Sequence, residues 1–482
     1  MVEIAVKYIE GVTGARGVTG VADRLCRGCV IDSRQVADDS IFVAFSGERV
    51  DGNDFAGQAI EAGAAAVVLT REPDRALVRL ADDHEAAVFV ADDAEEFLLR
   101  LAQGYRARMG CTVVAVTGSI GKTTTKDILS RVLSRRYRVH ATRGNYNSTI
   151  GMPLTILDAP KDTEVLVLEM GMDGAGQIER LSRCAQPTYA AITKIGTSHV
   201  GILGSRENIA RAKAEVLAGM PASDVNFEGR HSALVLSGED DFTPFIIENF
   251  AKPAGVEVIL VGTSPDDDVY ARDIELDETG CARFDLMLEN GSQFKTGLSI
   301  PGAPAVHNAL FAAAIAQRMG IPQFEIDEAF HELEITGHRL QVRVAACGAR
   351  VIDDSYNASP ESMAAGLDML ASTEVAGARI AVLGEMGELG DEAGRMHALV
   401  GAYAAAKKPD VLVCVGGDNA REMASAARLM GLPTGRVHIA ESAEAALARW
   451  GSVIGATDAV LVKGSRFVGL DRFAEGVVSH AR

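Results

Sequence analysis

Positive charge is what this sequence is shortest of: 47 Lys plus Arg stand against 66 Asp plus Glu, a formal net charge of -19 at pH 7. That balance excludes a partner gripped through many phosphate contacts, so no nucleic acid is expected. Any phosphate bound here must be small and held locally. Cysteine is scarce as well: seven residues, odd in number and scattered, make no disulfide framework and fit a reducing compartment. Cys26 and Cys29 form a C-x-x-C, but no second pair stands at matching spacing, so two small buried thiols are expected rather than a zinc ribbon. No apolar run approaches the roughly 18 residues a membrane span needs. The N-terminal MVEIAVKYIEG lacks the apolar core and small-residue cleavage site of a signal peptide. A soluble cytoplasmic protein is the expectation.

What is present suffices for several cores. Of 482 residues 48% are apolar and 23% charged, which excludes disorder or coiled coil as the whole-chain answer, and about 150 residues per domain gives about three domains. Ile41 to Phe45 and Ala65 to Leu69 read as strands, with helical spacing over Phe55 to Ala62 between them. The polar and basic stretch Gln103 to Met109 marks a boundary. Beyond it, the strand-like runs Thr112 to Val116, Glu164 to Leu168 and Tyr189 to Ile195 alternate with helical pieces, Thr123 to Arg136 first, as in a parallel sheet covered by helices. Gly255 to Leu298 reads as short strands with turns at Pro265 to Asp268 and Asn290-Gly291, an antiparallel appendage. Ala309 to Met319 reads as a helix. Past Thr336 a second alternating series begins, with strands at Arg350 to Ile352, Arg379 to Leu383, Val411 to Val415 and Ala459 to Val462. The expectation is an α/β chain of three domains, 1–108, 109–335 and 336–482: an N-terminal domain, a central P-loop ATPase-like parallel sheet, and a C-terminal domain of dinucleotide-fold type.

Thr117-Gly118-Ser119-Ile120-Gly121-Lys122-Thr123-Thr124 lies between a strand and a helix, where a phosphate cradle has to be. Glycines let backbone N–H groups approach phosphate, the helix N-terminus adds its dipole, lysine neutralises the β and γ oxygens, and the threonine hydroxyl can ligate Mg²⁺. ATP is the implied ligand. Val116 occupies the position of the first glycine of the ordinary Walker A pattern, so the motif is the narrower T-G-x-x-G-K-T. Glu169 and His199 follow strands whose carboxyl ends face the same crevice. On the helix Ser205 to Leu217, Lys213 shares the apolar stripe of Ile209, Ala212, Val216 and Leu217. Its ammonium either snorkels to water, or the amine is buried, neutral and able to take up CO₂ as a carbamate, a carboxylate-like metal ligand. Farther on, Asn308 opens the helix Ala309 to Met319. Arg339 is either a surface charge or a bidentate contact to a triphosphate oxygen, and Asp354 either a cap or a ribose contact.

Taken together, TGSIGKTTTK, GNYNSTIGMPLTIL, VLEMGM, ITKIGTSHVGILGSRENIARAKAEVL, VIDDSYNASPESM, AVLGEMGELG and VLVKGSR resemble the Mur ligases of peptidoglycan synthesis, in the right order over nearly the whole chain. YNASP and GEMGELG are similar to the branch of that family that adds D-Ala-D-Ala. The resemblance implies an ATP-dependent amide ligase. ATP would phosphorylate the terminal carboxylate of a UDP-muramoyl tripeptide, and the amine of D-Ala-D-Ala would attack the acyl phosphate. It implies that Gly118, Ser119, Ile120, Gly121, Lys122, Thr123, Thr124, Asn308, Arg339 and Asp354 bind ATP. Thr123, Glu169, His199 and a carbamylated Lys213 would arrange two Mg²⁺ ions, and Lys122, His199 and Lys213 would be the catalytic groups. Ser33, Arg34, Arg49, Asp51 and Asn357 would bind the substrates, and a closing hinge would lie near Thr336. Nothing in the sequence suggests an obligate interface, so a monomer is the expectation. Two positions depart from the family pattern. Its His-Asn, two residues, Asn appears here as Pro304-Ala305-Val306-His307-Asn308 if Asn308 is the second asparagine; in the other register Phe311 replaces that asparagine. Asn53 stands where Asp-Gly-His is usual. Beside the ligase reading stand a relative of folylpolyglutamate or cyanophycin type and a catalytically weakened nucleotide-binding paralogue.

Overall fold

The computed structural model describes residues 3–19, 23–47, 50–223, 231–334 and 337–479. Arg49 and the expected hinge and boundary at Ile335 and Thr336 lie outside the described residues.

Among them, nine strands form the central sheet, in the spatial order Gln293–Pro301, Cys281–Met287, Val269–Leu276, Glu257–Gly262, Ala233–Ser237, Tyr189–Ile192, Thr112–Thr117, Val165–Glu169, Val139–Ala141. Thr112–Thr117 is buried at every residue. Val113 and Ala115 enter one core, while Val114 and Val116 enter another on the opposite face. A strand covered on both sides reads as a continuous apolar run, which is why the sequence shows one. Helices Lys122–Leu133 and Ala303–Arg318 cover one face; Ala94–Met109, Gly151–Asp158 and Gln177–Ala185 cover the other. Chain order reverses at Thr112–Thr117, whose neighbours are Val165–Glu169 and Tyr189–Ile192, both parallel to it. Such a switch point opens a crevice at the carboxyl ends of the strands, and the phosphate loop starts there.

Two expectations are corrected. The segment after Gly255 is no appendage: Glu257–Gly262 runs parallel to Ala233–Ser237 and Val269–Leu276 pairs parallel with it, and only then does the same sheet turn antiparallel. The second helix begins at Ala303, so Asn308 sits in its second turn rather than opening it. Pro304 falls in the first turn, where a missing N–H costs nothing.

An N-terminal five-stranded sheet, ordered Arg16–Thr19, Ala87–Val90, Ala66–Leu69, Ile41–Val43, Cys29–Val30, precedes the central one. The helix Ala94–Met109 joins the two, since its Phe97, Leu98 and Leu101 share one core with Ile41 and Val43 on one side and Ile156 and Leu181 on the other. The last sheet runs Gln341–Val344, Arg350–Asp354, Ala459–Lys463, Arg379–Gly384, Val411–Val415, Val437–Ala440, and only its first strand is antiparallel. Cys26 is buried and Cys29 partly so, and all seven cysteines are free thiols. No helix among the described residues is long and apolar enough to cross a membrane.

Candidate active site

The phosphate loop is built by close packing that only glycine permits. Gly121 sits at φ 87°, and a Cβ there would strike Asn308 Oδ1; one on Gly118 would strike Thr193 Oγ1. The loop is pinned from the neighbouring strand: Ser119 N–H donates to Lys194 O at 2.8 Å, and Gly196 N–H to Ser119 Oγ at 3.0 Å. Asn308 Oδ1 accepts from Thr125 Oγ1 at 3.2 Å. It therefore braces the loop from the covering helix, while Ala305 and Phe311 are buried in the core. Lys122 opens the helix Lys122–Leu133, its Nζ donating to Gly118 O at 2.8 Å. Burial lowers its pKa, against the opposing pull of Glu169.

Thr123 Oγ1 donates to Glu169 Oε2 at 2.7 Å, and Asn147 Nδ2 donates to Glu169 Oε1 at 2.8 Å. The Glu169 backbone N–H is taken by Thr142 Oγ1. Glu169 is 2% exposed, and each carboxylate oxygen accepts one hydrogen bond, which leaves acceptor capacity on both. Asn147 was not singled out from the sequence; its place in GNYNS was the available signal.

His199 adopts φ 66° at the start of the short helix Val200–Leu203. Its Nδ1 lies 2.7 Å from Glu388 Oε2, outside good hydrogen-bond geometry, and that contact, first of all, holds the Glu388 carboxyl below its usual range. Asp173, His199 and Glu388 bring one ligand atom each to within 4.8 Å of one another, a set that could hold a cation.

Lys213 is fully buried, and its Nζ has no hydrogen-bond partner among the described residues. Burial pushes its pKa well below the ordinary lysine range, and the nearby charge of Lys122 pushes it further, against Glu169, Glu215 and Asp173. Snorkelling is excluded, because the stripe turns Lys213 into the core. A buried amine whose neutral form is favoured has the chemistry to take up CO₂ as a carbamate, and the orphaned nitrogen fits that group.

The C-terminal sheet closes the cleft. The Arg339 guanidinium lies 4.3 Å from the centroid of the Tyr356 ring and its Nε is unpartnered. Asp354 pairs with the buried Lys463 at 2.6 Å and accepts from Leu340 N–H. Lys463 also donates to Asn357 O at 2.9 Å. Between the sheets, Thr197 donates from N–H and Oγ1 to Glu361, at 2.8 and 3.2 Å, and Gly201 N–H donates to Glu388 O at 3.2 Å. A cleft of about 810 Å³ results, lined by Ser119 to Thr124, Glu169, His199, Asn308, Arg339, Asp354 and Asn357.

Ser33, Arg34 and Asp51 do not line it. Ser33 and Arg34 lie on a 3-10 turn where Arg34 pairs with Asp32, whose pKa falls to about 2 through that hydrogen bond. Asp51 accepts from Ser46 and Asn53 and pairs with Arg71. Asn53 is buried and bonded to Thr70, a structural tie where the family pattern has histidine.

Family models match in the same order as the three larger sheets: the Mur ligase family catalytic domain over 26–106, the Mur ligase middle domain over 116–316, and the Mur ligase glutamate ligase domain over 338–466. The UDP-N-acetylmuramoyl-tripeptide--D-alanyl-D-alanine ligase of Bacillus subtilis is 37% identical over 85% of this chain and 84% of its own. The enzyme of that name from Mycobacterium tuberculosis is 33% identical over 99% of this chain and 98% of its own. Among solved structures, MurF from Acinetobacter baumannii superposes with a TM-score of 0.86 at 28% identity, covering 99% of both chains. MurF ligase from Thermotoga maritima, solved in complex with ADP, has a TM-score of 0.77 at 26% identity, covering 94% of this chain and 97% of that one. With a phosphate loop at the switch point, a third sheet closing over it and relatives matched nearly end to end, the chain belongs to the Mur ligase family.

Proposed function

We propose that this chain is an ATP-dependent amide ligase that adds D-Ala-D-Ala to a UDP-N-acetylmuramoyl-tripeptide, the reaction named by its relatives. The observation that carries the reading is the orphaned Lys213 amine behind a phosphate loop whose Thr123 is tied to Glu169. A plain Mg-nucleotide binding module would use the Thr123–Glu169 pair but has no need of the buried, unpartnered Lys213. Lys122 and the N–H groups of Gly118 to Thr124 hold the triphosphate, and Arg339 reaches it from the closing sheet. Thr123, Glu169, His199 and a carbamylated Lys213 would hold two Mg²⁺ ions, which supply positive charge against the phosphoryl oxygens. Carbamylation adds CO₂ to the neutral amine and releases one proton. The terminal tripeptide carboxylate takes the γ-phosphoryl and ADP leaves; the neutral acceptor amine attacks the acyl phosphate carbon, and phosphate and one proton leave as the amide forms. Asp354 meets the ribose, and Asn357 a substrate.

In this reading residues 1–108 bind the UDP-sugar end through Ser33, Arg34, Arg49 and Asp51, 109–335 bind ATP, and 336–482 close over it, in a cytoplasmic monomer. Asp51 is already bonded to Ser46 and Asn53, and Arg34 to Asp32, so binding there would exchange these contacts. Phosphate release with ATP, Mg²⁺, the tripeptide nucleotide and D-Ala-D-Ala tests the function. Release that vanishes when either acceptor or tripeptide is omitted is expected; release no higher than with ATP alone refutes it.

A further inference from the structure

An acceptor dipeptide has two charged ends. Its amine must reach the activated carboxyl, and its carboxylate must be held elsewhere, on a cation not already committed. Five cations line the cleft: Lys122, Lys194, Arg339, Lys463 and Arg466. Lys122 is folded into the phosphate loop, and Lys463 is neutralised by Asp354. Arg339 is held against the face of the Tyr356 ring, its guanidinium carbon 4.3 Å from the centroid, and in the ligase reading it meets the phosphates. Lys194 also lines a second cavity of about 520 Å³ that adjoins the cleft at Ile120, Gly121 and Asn308. Arg466 shares with Arg339 and Lys194 the lack of an ion pair or side-chain hydrogen bond among the described residues, but on the closing sheet it stands outside the Arg339–Tyr356 stack, its guanidinium carbon 6.0 Å from the ring centroid against 4.3 Å for Arg339.

Its surroundings add a second signal. Phe467 is 67% exposed although it lines the cleft, an apolar ring with no protein cover. The ring lies over Gly387, where a Cβ would come within 3.3 Å of it. The turn that carries both residues, Arg466–Val468, is fastened from behind by Gly387 N–H donating to the buried Ser465 Oγ at 2.9 Å. A free guanidinium, an open aromatic face and a rigid backing match a short peptide of small apolar residues that ends in a carboxylate.

We propose that Arg466 binds the free carboxylate of the acceptor dipeptide, with Phe467 covering its methyl groups; this rests on the ligase reading above. The test compares D-Ala-D-Ala with its C-terminal amide as acceptors for the wild type and for Arg466→Met, with KM for ATP measured alongside. Loss of one charge-assisted contact predicts that the wild type binds the amide about 10- to 100-fold more weakly than the acid. The variant should lose a similar factor for the acid, no longer distinguish acid from amide, and keep its KM for ATP. A variant that still prefers the acid by the wild-type ratio, or whose defect lies in KM for ATP, overturns the inference and leaves the ligase reading intact. A wild type that turns over neither acceptor overturns the ligase reading, and this inference with it.

Discussion

Replacing Lys213 with methionine is expected to make the protein more stable and inactive at once. The side chain is fully buried and its nitrogen unpartnered, and an uncompensated buried polar group costs about 1–3 kcal/mol. Methionine keeps nearly the same volume without the nitrogen, so little packing is lost. For a domain of this size each kcal/mol moves Tm by about 2–4 °C, giving a rise of roughly 2–12 °C. The pH dependence has a definite sign. Burial, aided by Lys122, holds the folded-state pKa well below the ordinary range, whereas the unfolded chain keeps about 10.4. Between those values the unfolded state binds the extra proton, so wild-type stability rises with pH. The advantage of Lys213→Met is therefore largest near neutrality and narrows as pH approaches the ordinary lysine value. Calorimetry in CO₂-depleted buffer across that range measures it, with turnover assayed in parallel. A variant that melts below the wild type at neutral pH, or that retains turnover, would refute the reasoning.

Glu169→Gln removes the charge that ties Thr123 to Asn147 while keeping the shape; turnover should fall by at least about 100-fold, as for other groups that organise developing charge, and near-normal initial rates would contradict the assignment. In Gly201→Val the new side chain meets the backbone of Leu389 and Gly390, so scattering in solution should show a more open molecule with unchanged secondary structure by circular dichroism; an unchanged profile would count against that contact as a closing point. His397 is fully buried, its Nε2 accepting from Met386 N–H and its Nδ1 2.7 Å from Ala393 O. Burial lowers its pKa, so the stability it contributes is lost as pH falls below about 6.5. Urea titrations of the wild type and His397→Gln at falling pH should show the steeper acid loss in the wild type, and parallel curves would exclude the effect.

Local pattern carried much of this site. The strand-to-helix passage at Thr117 to Lys122, the strand ends at Glu169 and Asp354, and the stripe that places Lys213 inward all depend on neighbours within a few residues, and the structure has them there. What escaped the sequence reading depends on distant segments. Glu388 meets His199 across 189 positions, and Lys463 meets Asp354 across 109; no periodicity encodes either pairing. Strand direction beyond Gly255 is equally non-local, since Glu257–Gly262 has the same alternation whichever way its neighbour runs. The helix start at Ala303 was missed for a local reason, because Pro301-Gly302-Ala303-Pro304 reads as a breaker while proline in a first turn is an initiator. The N-terminal residues Ser33, Arg34 and Asp51 were found as a motif, yet the fold keeps them off the ATP cleft.

The contacts of Thr197 with Glu361 and of Gly201 with Glu388 have a consequence for ligand titrations. On the ligase reading, a triphosphate held by both Lys122 and Arg339 would need these contacts made, and its measured dissociation constant would equal the intrinsic one divided by the fraction of molecules already closed. Glu361 lines the same cleft as the phosphate loop, but its bonds go to Thr197. On that reading, weakening it would raise the apparent Kd of triphosphates that reach Arg339 by one common factor, whatever their base.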